Sequence, residues 1–549
     1  MRNRRLVVSA ALVAAGIGLI PGMAQAAGPA APAGHGVAAS AGTLGKAGVQ
    51  GKAEPVRSAA DRTVVTSQAD AAGNPDLAIE LHAYNNSAHE ILLVNNVKSA
   101  TAALDVTIAW GDGATDTYAA SGADVQSKTH MYAEVGTYPV KVTVKDTTNN
   151  VTAVNEVKFV TAGSEFTAHA PTRLLDTREG VGAAKAKVGA KGMVALKVGG
   201  SAKIPADVAA VALNVTVTNA TDAGHIAVQP GKDFLPPKTS NLNYVAGQTV
   251  PNMVIVPVVD GYVHLVNGGW APVDLIADVT GYFTHSAADG YAPLTPVRAV
   301  DTRQGLGTAK GQVAGYGTFG VEIAGRNGVP KGVSAVALNL TATNPQEAGH
   351  LTAYPSGQSA PSTSSVNFSA GQTVANSVIV PVGADGKIAI RNGSWKPADV
   401  VIDVVGYYSP DSTAAFRAAD EPFRFIDTRE NAWYRTAGPV PAREYLLLPL
   451  MGDSTEPVTA WVVNATVTNT RGAGHLSVAP DPNTWTDYQK GLQVRPERPG
   501  SSSLNWTAGA TVPNLVQTSG GKGDVIDFWN QGWEPVDVIV DCLGYYDTK

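Results

Sequence analysis

The chain is predicted to be all-β, with one sandwich domain followed by three tandem β-sandwich-like repeat domains, and three observations carry that expectation. Apolar residues alternate in short runs such as Lys141-Val142-Thr143-Val144 and Val208 through Val217, bounded by Gly, Pro, Asn and Asp, which is the pattern of strands and turns. No long segment keeps a helical period. Three motifs recur at nearly constant spacing: Asp-Thr-Arg from Asp176, Asp301 and Asp427 (125 and 126 residues apart), Ala-Gly-His ending at His225, His350 and His475 (125 and 125), and Gly-Tyr-aromatic from Gly281, Gly406 and Gly544 (125 and 138). Units of this length are tandem domains rather than turns of a solenoid. Each carries a full set of strand and turn signals, so each is expected to fold autonomously.

The N-terminus reads as an export signal. Three arginines lie within Met1 to Arg5, Leu6 to Ile20 is apolar, Pro21-Gly22 breaks the run, and Ala24-Gln25-Ala26 offers a cleavage site. Residues 1–26 are therefore assigned to a signal peptide, and the Ala/Gly/Pro/Ser-rich stretch 27–62 to a flexible tether. No stretch is apolar enough to be a membrane span. Cleavage removes three of the 40 basic residues and none of the 46 acids, leaving a mature charge of −9. That balance with scattered charges argues against nucleic acid as a partner. The single cysteine, Cys542, precludes an intrachain disulfide and is read as a small buried hydrophobe. The expected location is extracellular, free or associated with the cell surface.

Residues 63–161 contain Ala109-Trp110-Gly111-Asp112-Gly113, His130-Met131-Tyr132 and Val135-Gly136-Thr137-Tyr138. A tight glycine turn follows a strand ending in a core Trp, and a second turn leads into an alternating strand. This segment resembles the PKD domain, which implies a seven-stranded immunoglobulin-like sandwich serving as a spacer or binding module. Asp112 and Asp116 are expected to satisfy turn amides rather than bind calcium.

The repeats span 166–284, 290–409 and 416–549. The third holds an insertion of about a dozen residues, placed in a polar, Pro-rich surface loop around Trp485 to Pro499. In order, each copy has Asp-Thr-Arg, an Asn-bearing strand (Asn214, Asn339, Asn464), Ala-Gly-His, a Trp-x-Pro-x-Asp turn and a closing strand. The pattern resembles the Leu-Asp-Thr-Arg to Gly-Tyr-Phe repeat of secreted actinomycete proteins, a likeness that implies export and modularity rather than an activity.

Candidate site residues follow from the recurring positions. Asp176 and Arg178, Asp301 and Arg303, and Asp427 and Arg429 either bind a ligand or form a capped turn whose Arg pairs an acid elsewhere. Asp278, Asp403 and Asp541, each inside an apolar closing strand, are the expected partners, because a buried carboxylate must be paired. The three histidines are read as turn residues; convergence on a metal would require packing about a threefold axis. Trp270, Trp395 and Trp533 are either sugar-stacking platforms, with Asn267, Asn392 and Asn530 hydrogen-bonding hydroxyls, or caps on their own sandwiches. Tyr244, Phe368 and Trp506 vary in ring type at one position, as core residues do.

No nucleophile elbow, zincin helix, phosphate loop or Cys/His zinc set is present. The sequence thus predicts a non-enzymatic, cofactor-free binding or adhesion protein that presents three repeats to extracellular polysaccharide or cell-wall glycan. A self-assembling envelope or matrix protein is the alternative, and a secreted hydrolase comes third.

Overall fold

A computed structural model describes residues 56–57, 63–66, 73–74, 76–101, 103–232, 236–450 and 458–548. The signal peptide assigned to 1–26 lies outside the described residues. So does most of the tether, but Val56–Arg57 pairs with the strand Ala78–Asn85. Ordered structure therefore begins inside the stretch expected to be flexible.

The first domain is a sandwich of a four-stranded and a five-stranded sheet. Trp110, Tyr132 and Phe159 fill its core, and the Tyr132 hydroxyl donates to the Trp110 carbonyl at 2.9 Å. Both turn carboxylates are satisfied locally. Asp112 accepts from the Ala114 amide at 3.0 Å and lies 2.7 Å from His130 Nε2, while Asp116 accepts from the Trp110 indole at 3.2 Å.

Each repeat has eight strands in two four-stranded sheets. In the first repeat the inner sheet runs Glu165–Asp176, Asp274–Thr284, Ala210–Thr218, Val250–Pro257. The outer sheet runs Met193–Lys197, Tyr262–Asn267, Gly224–Pro230, Leu242–Tyr244. By order of appearance these are strands 1-8-3-6 against 2-7-4-5, the jelly-roll arrangement of two Greek keys. The other copies repeat it. The insertion in the third copy carries a short helix, Trp485–Lys490, closed by a capping box between Thr484 and Asp487. The stretch expected to be a loop is thus partly helical.

The third strand explains how the copies meet. In Ala210–Thr218 every residue is buried. Val211, Leu213, Val215 and Val217 face the repeat's own core, whereas Ala210 and Ala212 join a separate cluster with residues of all three repeats. Alternate residues point to opposite faces, so both faces of the inner sheet are covered. The shared cluster contains two rings per copy: Phe166 and Phe283, Tyr291 and Tyr408, Phe416 and Tyr546. They pack between copies, with Phe166 stacked on Tyr408 at 4.0 Å, Tyr291 stacked on Tyr546 at 4.4 Å and Phe283 tilted against Phe416 at 4.9 Å. The closing glycine makes room for them: a Cβ on Gly281 would lie 2.1 Å from the Phe166 ring, and one on Gly406 2.2 Å from the Tyr291 hydroxyl.

Below the rings, asparagines close the circle. Asn376 donates to Asn214 (2.9 Å), Asn514 to Asn339 (3.0 Å) and Asn252 to Asn464 (3.1 Å). The repeats therefore surround a pseudo-threefold axis and share a cluster there, in addition to the separate core that each repeat keeps. The first domain meets this assembly where the rings lie, through Ala88 and Val135 against Ala415 and a 2.8 Å bond from the Ala88 amide to Asp547.

Candidate functional site

The Asp-Thr-Arg motif is a closed structural unit. Asp176 accepts from its own Arg178, at 2.9 Å from Nε and 2.7 Å from Nη2, and Thr177 donates to Asp274 at 2.9 Å. Asp301 with Arg303 and Asp427 with Arg429 repeat the geometry. The guanidinium hydrogen bonds hold all three carboxyls below the usual range.

The partner of the closing-strand aspartate differs from the one expected. Asp278 pairs with Arg173 at 2.9 Å, Asp403 with Arg298 at 2.8 Å and Asp541 with Arg424 at 2.8 Å. These arginines stand on the first strand, directly opposite the aspartates in register. The carboxylates are indeed buried and paired; the motif arginines are simply occupied nearer home. Burial raises the acid pKa of Asp278 and Asp541 in spite of their arginines.

The Trp turns separate two residues that the sequence groups together. Trp270, Trp395 and Trp533 are 77, 74 and 78 % exposed, so none caps a sandwich. Asn267, Asn392 and Asn530 are fully buried, which removes them as ligand contacts. Asn267 Nδ2 donates to the carbonyls of Gly189 and Ala271, both at 2.9 Å, and its Oδ1 accepts from the Gly269 amide and the Tyr244 hydroxyl. Asn392 and Asn530 bind equivalent carbonyls. The asparagine knits the turn, and the indole beyond it is left in solvent.

A third element of this turn escaped the sequence reading. Lys191 Nζ lies 4.3 Å from the Trp270 ring centre and the Arg443 guanidinium 4.9 Å from that of Trp533; the Tyr316 ring meets Trp395 edge-on at 4.7 Å. All three neighbours adopt left-handed backbone, with φ of 53°, 57° and 62°. That region suits glycine, and bulky residues there carry strain of about 1–3 kcal/mol. Three times the fold places a large side chain in such a position against the indole. The available signal was the spacing of 15 or 16 residues after Asp-Thr-Arg, but Lys, Tyr and Arg share no side-chain chemistry that would mark it.

The histidines do not converge on the axis. They sit on outer-sheet strands opposite Asn243, Asn367 and Asn505, and burial lowers all three pKa values, that of His475 to about 4. Among the described residues no group of three potential metal ligands occurs. Cys542 is buried, its thiol pushed up to about 12 by desolvation, and Tyr244, Phe368 and Trp506 lie in the repeat cores. No helix among the described residues is long and apolar enough to cross a membrane.

No protein-family model and no curated protein matches the chain. Among solved structures it is similar to a chain described under the triple jelly roll fold and turret assembly of an archaeal virus. That match has 9 % identity and a TM-score of 0.14, and covers 70 % of this chain and 90 % of the other. A chain of Sulfolobus Turreted Icosahedral Virus matches with 8 % identity and a TM-score of 0.13, covering 75 % and 90 %. Likenesses this loose carry no argument about the protein.

Proposed function

We propose that the protein is a non-catalytic, extracellular binding module that presents three Trp turns to polysaccharide or cell-wall glycan. The observation that supports this reading is the exposure of Trp270, Trp395 and Trp533 at equivalent positions, each indole accompanied by a cationic or aromatic neighbour on strained backbone. An isolated exposed Trp is unremarkable; three in one arrangement, each held in place by a buried Asn, form a repeated stacking surface of the kind sugars use. The PKD-like first domain would act as a spacer. The self-assembly alternative draws less support, because the surfaces that join one repeat to another are already occupied within the chain.

Linked weak sites raise one another's effective concentration, so the intact chain should exceed one site by about a hundredfold in apparent affinity where geometry allows. The test is co-sedimentation of the full mature chain with insoluble cellulose, chitin and purified cell walls. Changing the three tryptophans to alanine one at a time should lower binding stepwise with the melting temperature nearly unchanged. A triple variant that still sediments with the polymer would refute the proposal.

A further inference from the structure

We propose that the groove between the second and third repeats is a separate binding site for a single neutral sugar unit. The second repeat supplies Arg298, Arg303 and Thr341 to its wall, and the third supplies His475, Ser501 and Asn505; the space between them is about 270 Å³. That lies below the range for drug-sized ligands and suits one small polar molecule rather than a chain. The Asp-Thr-Arg motif of one copy and the Ala-Gly-His motif of the next thus face each other across a boundary, a convergence invisible within any single repeat.

The chemistry of the wall selects the ligand. Arg303 is neutralised by Asp301 at 2.7 Å and Arg298 by Asp403 at 2.8 Å, and burial with two nearby arginines keeps His475 uncharged at neutral pH. The groove is therefore electrically balanced and offers an anion no unpaired cation from these residues. What it does offer is unmet hydrogen bonding: Thr341 Oγ1, Ser501 Oγ and Asn505 Oδ1 have no partner and are shielded from bulk water. Asn505 Oδ1 can only accept, whereas the two hydroxyls both donate and accept; side-chain rotation turns each of the three toward the groove that its residue lines. A guest must return donors and acceptors at several points, which is what the hydroxyls of a sugar ring provide.

The boundary between the first and second repeats shares the unpartnered threonine, Thr216 Oγ1, but differs at the asparagine. There the equivalent Asn367 Oδ1 accepts from Ser364 at 3.0 Å.

The site shares its ligand class with the function proposed above but none of its residues, so the two can fail separately. The experiment is saturation-transfer NMR on the full mature chain with millimolar glucose, galactose, mannose and N-acetylglucosamine. At least one should receive saturation. The signal should fall by about tenfold in apparent affinity in Asn505→Leu and in Thr341→Val, the latter isosteric and expected to fold normally. It should persist when Trp270, Trp395 and Trp533 are all alanine. Transfer to none of the four sugars, transfer unchanged in both groove variants, or transfer lost in the triple Trp variant would each overturn the proposal.

Discussion

The axis asparagines and the turn tryptophans recur with the same regularity, yet the fold puts them to opposite uses. Asn214, Asn252, Asn339, Asn376, Asn464 and Asn514 are all buried and bonded across repeat boundaries, whereas Trp270, Trp395 and Trp533 meet solvent over three quarters of their surface. Recurrence therefore cannot separate a residue that builds the molecule from one free to contact something else. Exposure can, and here it divides even neighbours: Asn267 and Trp270 are three residues apart in one turn.

The comparison breaks most visibly at the axis. Phe283→Ala should cost about 3–5 kcal/mol and lower the stability of all three repeats together, read as one cooperative transition in urea moving to lower concentration. Separate transitions, with only the first repeat weakened, would mean that the copies are independent. Next comes Asp403→Ala, expected to destabilise by about 1–3 kcal/mol, because it removes the nearer of Arg298's two carboxylate partners and the acceptor of the Ser502 amide. Asn376→Ala should fall in the same range, since it removes both a donor to Asn214 and the acceptor of the Met253 amide.

Two smaller effects sharpen the contrast. Asp527, fully buried beside Asp481, has its pKa raised by burial and by that second carboxylate. Its folded-state proton is held above the unfolded value near 3.9, so its contribution is present at low pH and is lost as pH rises through the folded pKa. Asp527→Asn should therefore raise the melting temperature at pH 8 relative to the native chain and change little at pH 3. At the bottom of the scale, Trp270→Ala should move stability by no more than about 0.5 kcal/mol, in keeping with an indole that supports nothing beneath it.

Much of the fold was legible in the residues. Alternating runs located the strands, and the motif spacing located the copies. The Val208 to Val217 segment also holds a signal in Val208 to Leu213, which is apolar at both parities, as an inner strand covered on two faces requires and a half-exposed one does not. The site was harder to read for a physical reason. When three copies share a sequence, a contact within a copy and a contact between copies leave the same trace. Hence the sequence points to the motif arginine as the partner of Asp278, where Arg173 is the actual one, and it carries no sign that Arg303 and His475 line one groove across a boundary. Burial was equally hidden at the Trp turn, where Asn and Trp both look like groups that could hold a sugar.

The asparagine bonds all run one way around the axis: the second repeat reaches the first, the third reaches the second, and the first reaches the third. Backbone bridges Ser164–Phe416, Phe166–Asp289 and Tyr291–Ala414 tie the three entry strands together in the same region. The covalent chain crosses only two of the three junctions; the remaining one is held by side chains and by those bridges. Within the three repeats, which junction the polymer leaves uncrossed is thus close to arbitrary. Joining the third repeat back to the first and opening the link near Ala288 should yield a rearranged chain that closes into the same ring.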